Sequence, residues 1–192
     1  MKTDSILVTF STIHGSTQQV AEKVAATLCE QGLPVDLQPV KQVRAIDPYQ
    51  AIVLGAPLYM FHWHKDAFSF LSRHRTALAQ KPVAIFALGP INNVEKEFAD
   101  ARAMLDQELA KYTWLKPIAI EIFGGKLDPP HFKLPYNLIP AMNKMPVSDI
   151  RDWAAITTWA SNLPTKLQLV SRHIFVRPLR LNLKIDQEDQ QW

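Results

Sequence analysis

Apolar residues fall along this chain in two alternating rhythms. Residues 5–10, 51–55, 83–88 and 118–123 are short, nearly continuous apolar runs, as expected of strands buried on both faces. Between them apolar side chains recur every three or four positions, the period of a helix with one buried face. Val20, Val24 and Leu28 form one such stripe, flanked by Ala21 and Ala25 and closed by Gly32. Phe68, Leu71 and Leu78 line a second helix, and Phe98, Ala101, Leu105, Leu109 and Tyr112 line a third. Trp153, Ile156, Ala160 and Leu163 mark the last, with Asp149 and Asp152 expected in its first turn near the positive dipole end. Residues 35–40 alternate weakly and end at a loop.

Strands alternating with amphipathic helices require right-handed crossovers and a parallel sheet covered on both faces. The reading is α/β: a doubly wound five-stranded parallel sheet of order 2-1-3-4-5, with helices on both faces. Its ligands belong at the carboxyl ends of the strands, beside strand one. Periodicity alone leaves a Rossmann-like order open; the loops decide it. One domain is expected over residues 1–167, with an insertion at about 124–147 that is rich in Pro, aromatic and basic residues. Residues 168–192 form a basic C-terminal tail of unknown role.

Composition narrows the classes without naming one. The chain has 192 residues, 47% of them hydrophobic, which suits one domain with a full core. A net charge of +3 is too small to indicate nucleic-acid binding without a clustered basic face, and no nucleic-acid partner is expected. The one cysteine, Cys29, lies in a helical pattern and reads as a small buried residue. Neither a secretory signal nor a span of membrane length is legible, so the expected location is cytoplasmic, with peripheral membrane contact at most.

The first strand passes into Ser11, Thr12, Ile13, His14, Gly15, Ser16 and Thr17, where the first helix begins. A helix N-terminus presents free N–H groups and a positive dipole end, which together attract an anion. Thr12, Ser16 and Thr17 add hydroxyls, and Gly15 lets the backbone approach closely. No Lys or Arg stands in this loop, so a phosphate there is held by hydrogen bonds. The Gly-Lys-Ser/Thr of a P-loop is absent, and the six glycines do not form a dinucleotide fingerprint. A plain Ser/Thr cap without a ligand is the alternative at this point.

The string Thr12-Ile13-His14-Gly15-Ser16-Thr17 is similar to the phosphate loop of the flavodoxin-like family. Ile13 and His14 stand where flavodoxins usually carry a hydroxyl residue. There the chain resembles the branch containing menaquinone-dependent protoporphyrinogen oxidase. Pro57, Leu58, Tyr59, Met60, Phe61, His62 and Trp63, running on through His64, look like the second loop of that branch, with Phe61 where a small residue is usual. An aromatic loop suits a flat tricyclic ring, because stacking excludes water. Ala87, Leu88, Gly89 and Pro90 resemble the third loop.

The resemblance covers about residues 5–165. It implies FMN, with the first loop around its phosphate, Tyr59 or Trp63 against the ring and the third loop at the pyrimidine edge. For His62 and His64 a metal site is not expected; a contact with the flavin edge or a quinone, or plain exposure, are the readings. The branch also has an enlarged segment after strand five. Here it runs from Gly124-Gly125-Lys126-Leu127-Asp128 through a helix expected over residues 131–145 to Arg151-Asp152-Trp153. Its His131, Phe132, Lys133, Tyr136 and Lys144 would either meet a flat acidic substrate such as a porphyrin or form a surface helix over the sheet edge.

Two functions follow from the resemblance. One is an FMN-dependent oxidoreductase passing electrons from a protoporphyrinogen-like substrate to a quinone. The other is a flavodoxin-type carrier between redox partner proteins. Typical carriers are acidic and lack the enlarged segment, which favours the enzyme. Residues 166–184 hold five basic residues and no acid, and 179–185 alternate like a one-sided strand. A sheet edge, a second subunit in a homodimer, a redox partner and an anionic membrane surface all remain open for the tail.

Overall fold

The computed structural model describes residues 5–59, 62–128, 146–169 and 180–181. Strand β1 (Ile6–Phe10) turns Ile6, Val8 and Phe10 to one face and Leu7 to the other, as a strand's period of two requires. It pairs in parallel with β2 (Val35–Pro39) on one side and β3 (Ala51–Tyr59) on the other. β3 pairs with β5 (Val83–Leu88), and β5 with β6 (Ala119–Phe123), all in parallel. The order β2-β1-β3-β5-β6 is the doubly wound one, with the direction of winding reversing beside β1.

Helix α1 (Ser16–Glu30) and α5 (Trp153–Lys166) pack on one face of the sheet; α2 (Lys65–Arg73), α3 (Arg75–Leu78) and α4 (Glu95–Leu109) pack on the other. Val20, Val24 and Leu28 of α1 meet Ile156, Ala160 and Leu163 of α5 over Ile6 and Val8, all fully buried. Each Val, Leu and Ile among them contributes about 1.5–3 kcal/mol through burial. Gly32, at φ 79°, reverses the chain after α1. Gly55 is demanded by packing, since a Cβ there would stand 2.0 Å from the Phe86 ring.

Several expectations are corrected. The helix behind β3 is two helices, α2 and α3, and Tyr112 lies beyond the end of α4. Ile118 is outside β6 and exposed. Trp153 is 40% exposed, while Trp159, which the expected stripe passed over, is buried against Phe86 and Phe123. Asp149 is not in the first turn of α5: it lies in β8 (Ser148–Asp149), paired antiparallel with β7 (Lys126–Leu127). These two short strands form the stem of the enlarged segment, whose expected helix lies outside the described residues. Cys29 is half-buried beside the core. In the tail, β9 (Arg180–Leu181) pairs with Asp36–Leu37 of β2, so the sheet edge receives that part of it.

Candidate functional site

Three segments leave the carboxyl ends of β1, β3 and β5, next to one another because those strands are neighbours in the sheet. After β1, the Ser11 amide donates to the Gly55 carbonyl at 2.9 Å, which fastens the loop to β3. Thr12 Oγ1 accepts the Gly15 amide at 2.9 Å, closing a tight turn. Gly15 stands at φ 86° with open space where a Cβ would point. The turn therefore needs glycine for its left-handed backbone and not to relieve crowding.

Helix α1 then starts without a side-chain cap and without an acid in its first turn. Ser11 and Thr17 are 4% and 0% exposed, and neither hydroxyl has a hydrogen-bond partner among the described residues. A buried, unpaired hydroxyl costs about 1–3 kcal/mol, so two of them beside an uncapped helix start is an unusual expense for a purely structural loop. Hydroxyl donors, free amides and a positive helix end fit a phosphate ester. Ile13 and His14 are half-buried in the same loop.

The second segment is a hairpin where the sequence reading expected a loop. β3 continues through Pro57, Leu58 and Tyr59, and β4 (His62–Trp63) pairs back on it, with Leu58 opposite Trp63 and Tyr59 opposite His62. Met60 and Phe61 lie outside the described residues. The pairing turns Trp63 inward: it is 1% exposed, its indole N–H donates to the Ala56 carbonyl at 3.3 Å, and Phe68 meets it edge-on. Trp63 is thus a core residue and not a surface platform for a ring. Among the described residues of the hairpin, Tyr59 is the half-buried tyrosine or tryptophan.

The two histidines take unlike roles. The ring of His62 is 76% exposed and stands 3.3 Å from Glu108, whose carboxyl is held below its usual range chiefly by the hydrogen bond from Lys111. His64 is the N-cap of α2, its Nδ1 accepting the Asp66 amide at 3.4 Å. Burial, aided by Lys41 and Lys65, holds its pKa below the ordinary 6.5 despite the pull of Asp66. The neutral ring is the form able to accept.

In the third segment Ala87 and Leu88 are buried within β5. Gly89 backs onto Leu58 and Ala101. Glu97, at the start of α4, accepts the amides of Ile91 and Asn92, both at 3.2 Å, and the Asn92 side chain at 2.6 Å. Those bonds, the Asn92 side chain first, hold its carboxyl below the usual range.

Sequence reasoning missed how the stem ties the third segment and helix α1 together. The Gly125 amide donates to the Pro90 carbonyl at 2.6 Å, and Ser148 Oγ donates to the Ile91 carbonyl at 2.7 Å. Arg151 Nη1 donates to Gln19 Oε1 of α1 at 2.6 Å. No local pattern signals a contact across that much chain. A separate groove of about 540 Å³ runs along the outer edge of β6 between α4 and α5, lined by Phe98, Glu121, Asp152, Asn162 and Lys166 among others. The first two segments do not line it, and the third contributes Asn93.

The sequence pattern of the Flavodoxin domain matches residues 7–142. Protoporphyrinogen IX dehydrogenase [quinone] of Escherichia coli (strain K12) is 26% identical over 130 residues, covering 66% of this chain and 71% of that protein. Among solved structures, oxidised Flavodoxin 1 from Bacillus cereus superposes with a TM-score of 0.53 at 12% identity, covering 84% of this chain and 97% of the other. The flavodoxin of Streptococcus pneumonia TIGR4 gives 0.53 at 16% identity, covering 84% and 99%. At these identities the structural likenesses establish the fold.

Proposed function

The chain belongs to the Flavodoxin domain family, and from that premise we propose that it is an FMN-binding oxidoreductase, passing electrons from a protoporphyrinogen-like substrate to a quinone. The observation that carries the FMN reading is the uncapped start of α1 with the buried, unpartnered hydroxyls of Ser11 and Thr17 beside it. Ser11, Thr12, Ile13, His14, Gly15, Ser16 and Thr17 hold the phosphate by hydrogen bonds and by the dipole of α1, with no cation in the loop. Tyr59 and Leu58 of the hairpin flank the ring, and the backbone at Gly89 and Pro90 meets its polar edge.

FMN, when bound, supplies the redox chemistry, so few protein acids or bases are required. The chain's own work is to fix the phosphate, to cover the ring with apolar surface and to keep the third segment rigid through Glu97. The substrate assignment draws support from the likeness to the Escherichia coli enzyme and from the enlarged segment grafted on the β7/β8 stem.

Titration of apo-protein with FMN and with riboflavin tests the cofactor: FMN binds much more tightly if the first loop holds its phosphate, and equal binding refutes that loop. The reaction is tested anaerobically, by adding protoporphyrinogen to the FMN-loaded protein and then a menaquinone analogue. Bleaching followed by recovery of the flavin spectrum is expected. No bleaching leaves the electron carrier as the function.

A further inference from the structure

The first loop contains no cation, yet the tertiary structure delivers one to its helix. Arg151 Nη1 donates to Gln19 Oε1 at 2.6 Å, and Gln19 lies in the first turn of α1, just beyond Thr17. Through Nε and Nη2 the same guanidinium donates to the two carboxylate oxygens of Asp149 at 2.7 and 2.5 Å. Those two nitrogens form one edge of the planar fork, and Nη1 reaches out from it. The guanidinium therefore stands between α1 and the carboxylate. The ion pair is an oriented dipole whose positive end faces the Gln19 side chain in the first turn of α1.

The arginine is held firmly in that pose. Its side chain is only 5% exposed, so salt screens it less than a surface charge. It lies over the Trp153 ring, 4.7 Å from the centroid. Asp149 is kept ionised, its carboxyl lowered chiefly by the hydrogen bond from Arg151. The backbone around it is pinned as well: the Ile150 amide donates to the Gly125 carbonyl at 3.1 Å, and a Cβ on Gly124 would stand 2.2 Å from the Ile150 oxygen.

Resting on the FMN reading above, we propose that Arg151 is a positioning residue of the phosphate site. Acting through Gln19, it fixes the first turn of α1 and turns the positive end of its ion pair toward the phosphate, and so separates FMN from riboflavin. The stem of the enlarged segment is in this way part of the cofactor site, although it lies far from the first loop in sequence.

The test is titration of apo-protein variants with FMN and with riboflavin, alongside their thermal unfolding. Arg151→Met is expected to weaken FMN about tenfold and to leave riboflavin within about twofold, since only FMN carries the charged group. Gln19→Ala, at an exposed position that the fold does not need, is expected to weaken FMN about threefold with riboflavin unchanged. Arg151→Lys recovers part of the loss by restoring the charge without the fork. Equal weakening of both flavins, or unchanged FMN binding, overturns the role of Arg151. If Arg151→Met does not fold, Gln19→Ala decides by the same criterion. Equal binding of the two flavins by the unsubstituted protein overturns the phosphate site itself and Arg151 with it, and is visible before any residue is changed.

Discussion

Helices α1 and α5 lie side by side on one face of the sheet, yet their N-termini are finished in opposite ways. At α5, Asp152 caps the helix, its carboxylate accepting the Ala155 amide at 2.9 Å. At α1, Gly15 offers no side chain, the first turn holds no acid, and the nearby hydroxyls of Ser11 and Thr17 are buried without partners among the described residues. One helix end is satisfied by its own chain; the other is not. The same free amides and the same dipole thus serve stability at α5 and, on the proposed reading, recognition at α1. Helix α2 lies between these cases, capped by a neutral histidine, His64.

The strongest way to break this contrast is to give α1 the finish of α5. Gly15→Asp places a carboxylate at the helix start, in space where no atom lies within 4 Å of a Cβ. Like-charge repulsion of several kcal/mol is expected to weaken FMN at least about a hundredfold in titration. Riboflavin affinity is expected to change little, which separates repulsion from the strain of a left-handed aspartate.

Thr17→Val sharpens the contrast with a smaller effect. It replaces an unpartnered hydroxyl by a methyl of the same shape, so apo-protein stability is expected to hold or rise. FMN affinity is expected to fall about tenfold to a hundredfold, the value of one hydrogen bond to a charged group. A fall in apo stability would show that the chain itself uses this hydroxyl.

Asp152→Ala opens the closed end. Loss of a cap costs about 1 kcal/mol in chemical denaturation. FMN affinity is expected to stay constant, since α5 holds no part of the phosphate.

The smallest effect belongs to α2. His64 has a folded pKa below its unfolded 6.5, so its contribution to stability is present above pH 6.5 and is lost as pH falls through the folded value. His64→Asn keeps a cap that does not titrate. The loss of melting temperature between pH 7 and pH 5 is expected to shrink in this variant; an identical loss would assign acid sensitivity to other groups.

The element order was legible because it rests on local signals. Residues 83–88 read as a buried strand from an unbroken apolar run, and the Val20, Val24 and Leu28 stripe read as a helix from its period. The first loop reads as a candidate anion site for the same reason: hydroxyls, a glycine and a helix start are adjacent in sequence. Where two residue types share one hydrophobicity, that reading failed. Trp63 and Tyr59 looked alike as partners for a flat ring, and the expected stripe took in the exposed Trp153 and passed over the buried Trp159, because composition does not say which face a ring turns to.

The hairpin register decides the first pair, setting Trp63 opposite Leu58 with its indole bonded to Ala56. The helix phase decides the second, turning Trp159 toward Phe86 and leaving Trp153 under Arg151. Sequence by itself determined the main parallel strands, the amphipathic helices packed on them and the candidate anion loop, since each signal comes from neighbours a few residues apart. Only the tertiary structure brought Arg151 to Gln19 and Gly125 to Pro90. Such contacts join segments remote in the chain, and their partners are chosen by how the sheet and its stem pack, which no local pattern encodes.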